Sequence, residues 1–377
     1  MRILGKSILL RIFGFLGLFL YPALSNAEFK WNKPEVVDRI DCVGSFTSIA
    51  IDRNNTPHIS YYDASNAALK YATRISSPPS AKKRTKSQWN LATVDYTDYV
   101  GDYTSLKVAS NGVIWIAYHD ISHRAVRIAH KKLIDTTWLI DTVDRYNQAG
   151  FLGISLVIGK LNLPELCYYA KQAGELRHAR LSNGKWRITV ADNDFNVGML
   201  PSIALDQRGF PRIAYYDVSR WNLKYAFWDG MQWISQVVDP GRSVGIYASL
   251  AIDKKGYPHI AYEDDLNYDL KYAFWNGYTW QIDVVDRKGV VGKFASLALD
   301  SADNPRIGYF DYTHGQIKFA YQNGRQPWVV QTIDPKVGVG GYCSLALDNL
   351  GNPHLSYYDY LYRDLRYIHG ILQERTK

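Results

Sequence analysis

The chain has 377 residues, a formal net charge of +8, 14% aromatic residues and three cysteines. A length of this kind suits one large all-β ring as well as two or three smaller domains. Three cysteines are too few for a disulfide scaffold, and the basic balance is too mild to point to nucleic acid.

The first 27 residues read as a secretory signal peptide. Arg2, Lys6 and Arg11 form a positive n-region, Ile12 to Leu24 is apolar, and Ser25-Asn26-Ala27 offers a small-residue cleavage site. The apolar run is short for the about 20 residues of a spanning helix, and no membrane span is expected after cleavage. Loss of the leader with its three cations lowers the formal charge from +8 to +5. The mature domain is expected to be residues 28 to 377, a single secreted, periplasmic or cell-surface unit and a monomer.

One unit then recurs seven times. Trp31, Trp89, Trp138, Trp186, Trp233, Trp280 and Trp328 are each followed by an Asp: Asp38, Asp95, Asp144, Asp192, Asp239, Asp286 and Asp334. Six residues after each Asp stands a Gly, from Gly44 through Gly340. Most Trp spacings run from 47 to 49; the first is 58, through a Ser/Pro-rich insertion carrying Lys82, Lys83, Arg84 and Lys86, read as a solvated loop. Repeats of about 40 to 50 residues with four strand-like runs indicate propeller blades. In the fourth unit these runs are Ser202 to Asp206, Arg212 to Asp217, Leu223 to Phe227 and Trp233 to Asp239, with turn residues between them. The seventh unit lacks a Trp strand, and the chain start supplies one, Trp31 to Asp38. The fold class is therefore all-β: a seven-bladed β-propeller, four strands per blade, closed by the N-terminal strand completing the last blade. The Trp residues are expected to pack between blades, and the Asp residues to accept loop N–H groups.

The hairpins Asp229-Gly230-Met231-Gln232-Trp233 and Asn276-Gly277-Tyr278-Thr279-Trp280 resemble degenerate Asp-box turns of sialidase-like (BNR-like) propellers. The unit as a whole is similar to repeats of secreted bacterial proteins of that type. The full Ser-x-Asp-x-Gly-x-Thr-Trp pattern is complete in no blade, and the Asp-box is a folding element, so the resemblance implies fold and carries over no catalytic residue.

The second-to-third-strand loops and the blade-to-blade loops share one face. Two sets of residues are expected there: Asp63, Asp120, Asp217, Asp264, Asp311 and Asp359, and the aromatics Phe46, Tyr103, Tyr247, Phe294 and Tyr342. Carboxylates beside aromatic rings suit a sugar or a cation; the bland alternative is loop caps and a channel wall. Blades two and three break the repeat. His119 replaces an aromatic before Asp120, His123 follows, and Tyr169-Ala170-Lys171 lacks the Asp. His119, Asp120, His123, Tyr169 and Lys171 are the catalytic candidates, a base and acid set suited to β-elimination on a uronic-acid polysaccharide. A non-catalytic propeller binding a glycan or a protein is the first expectation. A polysaccharide lyase or glycosidase on blades two and three is the alternative, and a purely structural interaction module the third.

His58, His259 and His354 follow Pro at one repeated place where Arg212 and Arg306 also occur, and are expected at the surface of the opposite face. No metal-ligand spacing appears and no cofactor is expected, with calcium left open. Cys42 and Cys343 fall near the ring closure and are a candidate disulfide; Cys167 reads as a buried apolar residue.

Overall fold

The structure, a computed structural model, describes residues 28–75 and 89–373. The expected signal peptide and the basic insertion lie outside the described residues. Seven antiparallel sheets form the blades of a closed β-propeller. In blade one the strands are Val43–Ile51, Pro57–Asp63, Ala68–Arg74 and Trp89–Asp95, running outward from the axis. Blades two to six repeat this over 100–144, 149–192, 197–239, 244–286 and 291–334. Blade seven takes three strands from 339–373, and its outer edge comes from the N-terminus.

That outer strand is in two pieces, β1 (Glu28–Trp31) and β2 (Glu35–Asp38), both paired with Asp364–Gln373. Pro34, which has no N–H to give to a ladder, lies in the break. The Trp-to-Asp spacing is one residue longer here than in the other repeats, and the break absorbs it.

Repeated side chains tie each blade to the next. Ser48, Ser105, Ser155, Ser202, Ser249, Ser296 and Ser344 each accept a hydrogen bond from an innermost-strand N–H of the following blade, Ser344 back to Ile49 at 3.2 Å. Asp38, Asp95, Asp144, Asp192, Asp239, Asp286 and Asp334 accept a buried Tyr hydroxyl from the following blade, as in Tyr262 to Asp239 at 2.8 Å. Their other oxygen caps the linking loop, as Asp95 Oδ1 does for the Thr97 N–H. The Trp residues pack edge-on against the preceding blade: Trp138 on Tyr71, Trp280 on Tyr225 and Trp328 on Tyr272, at 5.1–5.5 Å between centroids. Gly101 shows why glycine follows each Asp. Its φ is +109°, and a Cβ would sit 2.7 Å from the Leu69 backbone.

The histidines after Pro are not surface residues. His58, His259 and His354 are buried. His58 Nδ1 lies 2.5 Å from the Tyr71 hydroxyl, His354 makes the same contact to Tyr367 at 2.6 Å, and His259 pairs with Tyr272. The turn was expected to leave them in solvent; instead the hairpin Asp (Asp52, Asp253 or Asp348) and the third-strand Tyr enclose the ring.

Candidate functional site

Each innermost strand begins with an irregularity. In six blades the register slips twice, as between Val43 and Ser45 and between Ser45 and Ser48. The residue within the slip has a left-handed backbone in every blade: Phe46, Tyr103, Leu152, Leu200, Tyr247, Phe294 and Tyr342, all with φ between 49° and 54°. None is glycine, so each position costs about 1–2 kcal/mol relative to a right-handed one. Bulges of this kind re-aim side chains. Here they aim one side chain per blade at the axis, an aromatic ring in five blades and a leucine in two.

The result is an aromatic collar at one mouth of the central channel. Tyr103, Phe46, Tyr342, Phe294 and Tyr247 touch in that order, with centroids 4.4–4.7 Å apart and planes tilted 42–47°. Leu152 and Leu200 occupy the two blades between Tyr103 and Tyr247, leaving an aliphatic gap. The collar opens on a cavity of about 200 Å³ floored by Thr47, Thr104, Ala248 and Cys343. Burial raises the phenol pKa of Tyr103 and Tyr342 and pushes Tyr247 up to about 12. All three stay neutral hydroxyls, able to donate and accept. The Tyr360 ring lies over Gly341, where any Cβ would collide with it, and adds a fourth phenol.

Two polar groups flank the collar. On blades two and three, His119 Nδ1 is 2.9 Å from Asp102 Oδ1 while Nε2 is buried without a partner. The Phe151 ring meets His119 edge-on at 6.5 Å and carries the Lys171 ammonium at 3.8 Å. Across the ring, Lys293 Nζ lies 2.9 Å from buried Glu263 and 3.9 Å from Asp265. Burial raises the Glu263 pKa, which Lys293 opposes.

The expected site residues divide cleanly. Tyr103, Tyr247 and Tyr342 line the mouth. Asp63, Asp120, Asp217, Asp264, Asp311 and Asp359 do not: they are buried, and their oxygens are engaged within the fold. Asp63 accepts the Asn66 N–H at 3.1 Å, Asp217 the Ser219 N–H at 2.9 Å, and Asp359 pairs with Arg366 at 2.6 Å. Burial would raise Asp264 and Asp311, but Lys271 and Lys318 more than offset it and hold both below the usual range. These carboxylates cap loops and pair with basic side chains of their own blades.

Of the catalytic candidates, His119 and Lys171 approach one ring, Phe151. Asp120 is buried and receives the His123 N–H at 2.9 Å; the exposed His123 ring folds onto the same carboxylate. Tyr169 is committed to Asn196. Cys42 and Cys343 are unbonded: Cys42 Sγ sits 3.2 Å from the Tyr358 hydroxyl, while Cys343 is buried under the collar. Among the described residues, no group of three His, Cys, Asp or Glu is arranged to hold a metal ion, and no helix is long and apolar enough to cross a membrane.

Sequence reasoning missed Asp102, Phe151, Glu263, Asp265 and Lys293. The signal for Glu263 was visible: in Tyr262-Glu263-Asp264 an acid replaces the second aromatic, a break of the same kind as His119.

Ring, collar and flanking polar groups define a seven-bladed β-propeller with an aromatic-lined axial mouth. No protein-family model matches the chain, and no curated protein is similar to it in sequence. Solved propellers are similar in fold. The structure of an ulvan lyase bound to a GlcA–Rha3S oligosaccharide superposes with a TM-score of 0.55 at 12% identity, covering 88% of this chain and 94% of that one. A protein of unknown function from Dyadobacter fermentans gives 0.53 at 10% identity, covering 92% and 99%. The Aleuria aurantia lectin in complex with α-methyl-L-fucoside gives 0.51 at 11% identity, covering 79% and 97%. At such identities the likeness is one of fold.

Proposed function

We propose that this protein is a secreted glycan-binding propeller whose ligand seats on the aromatic collar. The observation that carries the reading is the ring of seven left-handed, non-glycine residues. Backbone strain repeated in every blade persists where the side-chain direction it secures is needed. Five of those side chains are aromatic, and three carry neutral hydroxyls. Aromatic faces take the C–H side of a pyranose, and phenols bond its hydroxyls. Two of the similar folds come from structures holding saccharides, which agrees with this ligand class.

A second reading, a carbohydrate-active enzyme, is favoured by one observation: Asp102 fixes Nδ1 of His119 and leaves Nε2 unpartnered. That is the arrangement of an oriented base.

The test is a glycan and polysaccharide array exposed to purified residues 28–377, with retained protein and released fragments read together. Retention without fragments, reduced about tenfold or more in Tyr103→Ala and Tyr247→Ala, is expected. Fragment release abolished by His119→Ala would transfer the function to the enzyme reading. Absence of both signals would remove glycan as the ligand.

A further inference from the structure

At the end of the molecule away from the collar, blades two and three depart from the rest, blade two with Ala109, Trp115 and Ile128 where blade one has Asp52, His58 and Tyr71. Blades one, five and seven place an Asp, a His and a Tyr there. Blades four and six substitute Arg212 and Arg306 for the His, each 2.6 Å from its hairpin Asp. In blade three Gly159 takes the Asp position, Glu165 the His position and His178 the Tyr position. Arg180 stands where Phe227, Phe274 and Tyr321 stand elsewhere. The carboxylate has moved to the His position and the imidazole to the Tyr position: His178 Nε2 lies 3.1 Å from Glu165 Oε2, both buried. Gly159 is part of the same shift, because a Cβ there would lie 3.0 Å from Glu165 Oε1.

Loss of two aromatic side chains leaves a space. A cavity of about 230 Å³ opens between blades three and four, lined by Glu165, His178, Arg180, Arg187, Trp228 and Trp233. Arg180 and Arg187 are direct cross-strand partners. Like charges so placed are destabilising, and neither guanidinium makes an ion pair among the described residues. The equivalent pairs in blades four and five are Phe227 with Ile234 and Phe274 with Gln281.

We propose that this interblade pocket is a second binding site, for one anionic pyranose unit. Two guanidiniums on one edge recognise a carboxylate or sulfate in bidentate fashion. Trp233 and Trp228, with centroids 5.8 Å apart at 67°, give the ring an apolar wall. The Glu165–His178 pair, buried at the base, accepts ring hydroxyls. The volume is below the about 300–1,000 Å³ of sites for drug-sized ligands, so it holds one sugar rather than a chain. The site shares no residue with the collar and stands or falls independently of it.

The experiment is saturation-transfer NMR with tryptophan fluorescence on the mature chain, titrating methyl glucuronide, glucose 6-sulfate and methyl glucoside. One or both anionic sugars should bind about tenfold or more tighter than the neutral one, and the arm that binds identifies carboxylate or sulfate as the group read. Arg180→Gln and Arg187→Gln, both at exposed positions, should each lose that preference with thermal stability unchanged or slightly raised, since either substitution relieves the like-charge pair. Tyr247→Ala should leave it intact. Equal binding of methyl glucoside, no binding of either anion, or indifference to both Arg substitutions overturns the site. Loss in Tyr247→Ala alone assigns the binding to the collar and overturns it equally.

Discussion

At the residue scale, the left-handed collar positions make a test that ordinary packing logic gets wrong. Replacing a half-buried Leu in a β-sheet with Gly normally destabilises, by lost burial and by greater freedom of the unfolded chain. At Leu200 the φ of +50° reverses one contribution, since Gly carries no penalty there. The opposing effects are each about 1–2 kcal/mol, so Leu200→Gly should change unfolding free energy by less than about 1 kcal/mol. Denaturant unfolding measures it, and a loss above about 2 kcal/mol would mean the position is not strained. A comparison at Leu297, buried in an innermost strand without positive φ, should show the full penalty. None of this strain was legible in the sequence, because Phe, Tyr and Leu announce no positive φ; only the recurrence of aromatics at one place marked the site.

At the element scale, ring closure rests on β1 and β2. Asp38 accepts the Tyr61 hydroxyl at 2.8 Å and lies 2.5 Å from Lys70 Nζ, joining blade seven to blade one. Trp31 packs on Phe319 at 5.0 Å and its indole N–H reaches Gln331, joining blade seven to blade six. Asp38→Asn should therefore destabilise by about 3 kcal/mol, since it leaves Lys70 with a weakened partner beside a buried phenol. Removing residues 28–38 should do worse: it exposes the edge of Asp364–Gln373, and the protein should elute as oligomers in size-exclusion chromatography. A truncated chain that stays monomeric with an unchanged melting temperature would refute the closure argument. The blades and this closure were readable because Trp, Asp and Gly recur at fixed spacing, each tied to a local need. The inward turn of Asp63 and its counterparts was not legible because sequence shows that a carboxylate ends a strand, not that Lys70 and the Asn66 N–H engage it. Likewise Cys42 and Cys343 share a face without meeting, since one lies beside Tyr358 and the other beneath the collar.

At the scale of the whole molecule, buried titratable groups repeat around the ring and should act together on stability. Burial lowers the pKa of His58 and His259, and takes His354 down from 6.5 to about 4. Asp52, Asp253 and Asp348, each 3.5–3.6 Å from the ring, oppose this without overcoming it; His369 and Arg74 push His354 further the same way. A histidine depressed on folding prefers to be neutral in the native state. Below the unfolded value the unfolded chain binds the proton first, so stability falls as pH falls. The contribution is fully present above about pH 6.5 and is lost progressively toward pH 4. Carboxylates held below their usual range, among them Asp192, Asp206 and Asp311, add a separate loss at still lower pH. The melting temperature should therefore be flat above neutrality and decline through the histidine range before the carboxylates held below their usual range titrate. His354→Gln should start less stable at pH 7.5, having lost its contacts to Tyr367 and Asp348, yet decline less steeply between pH 6.5 and 4.5. Thermal melts of both proteins across that window decide the matter. A wild-type curve that stays level to pH 4.5, or a variant with the same slope, would mean that these rings do not titrate as buried groups.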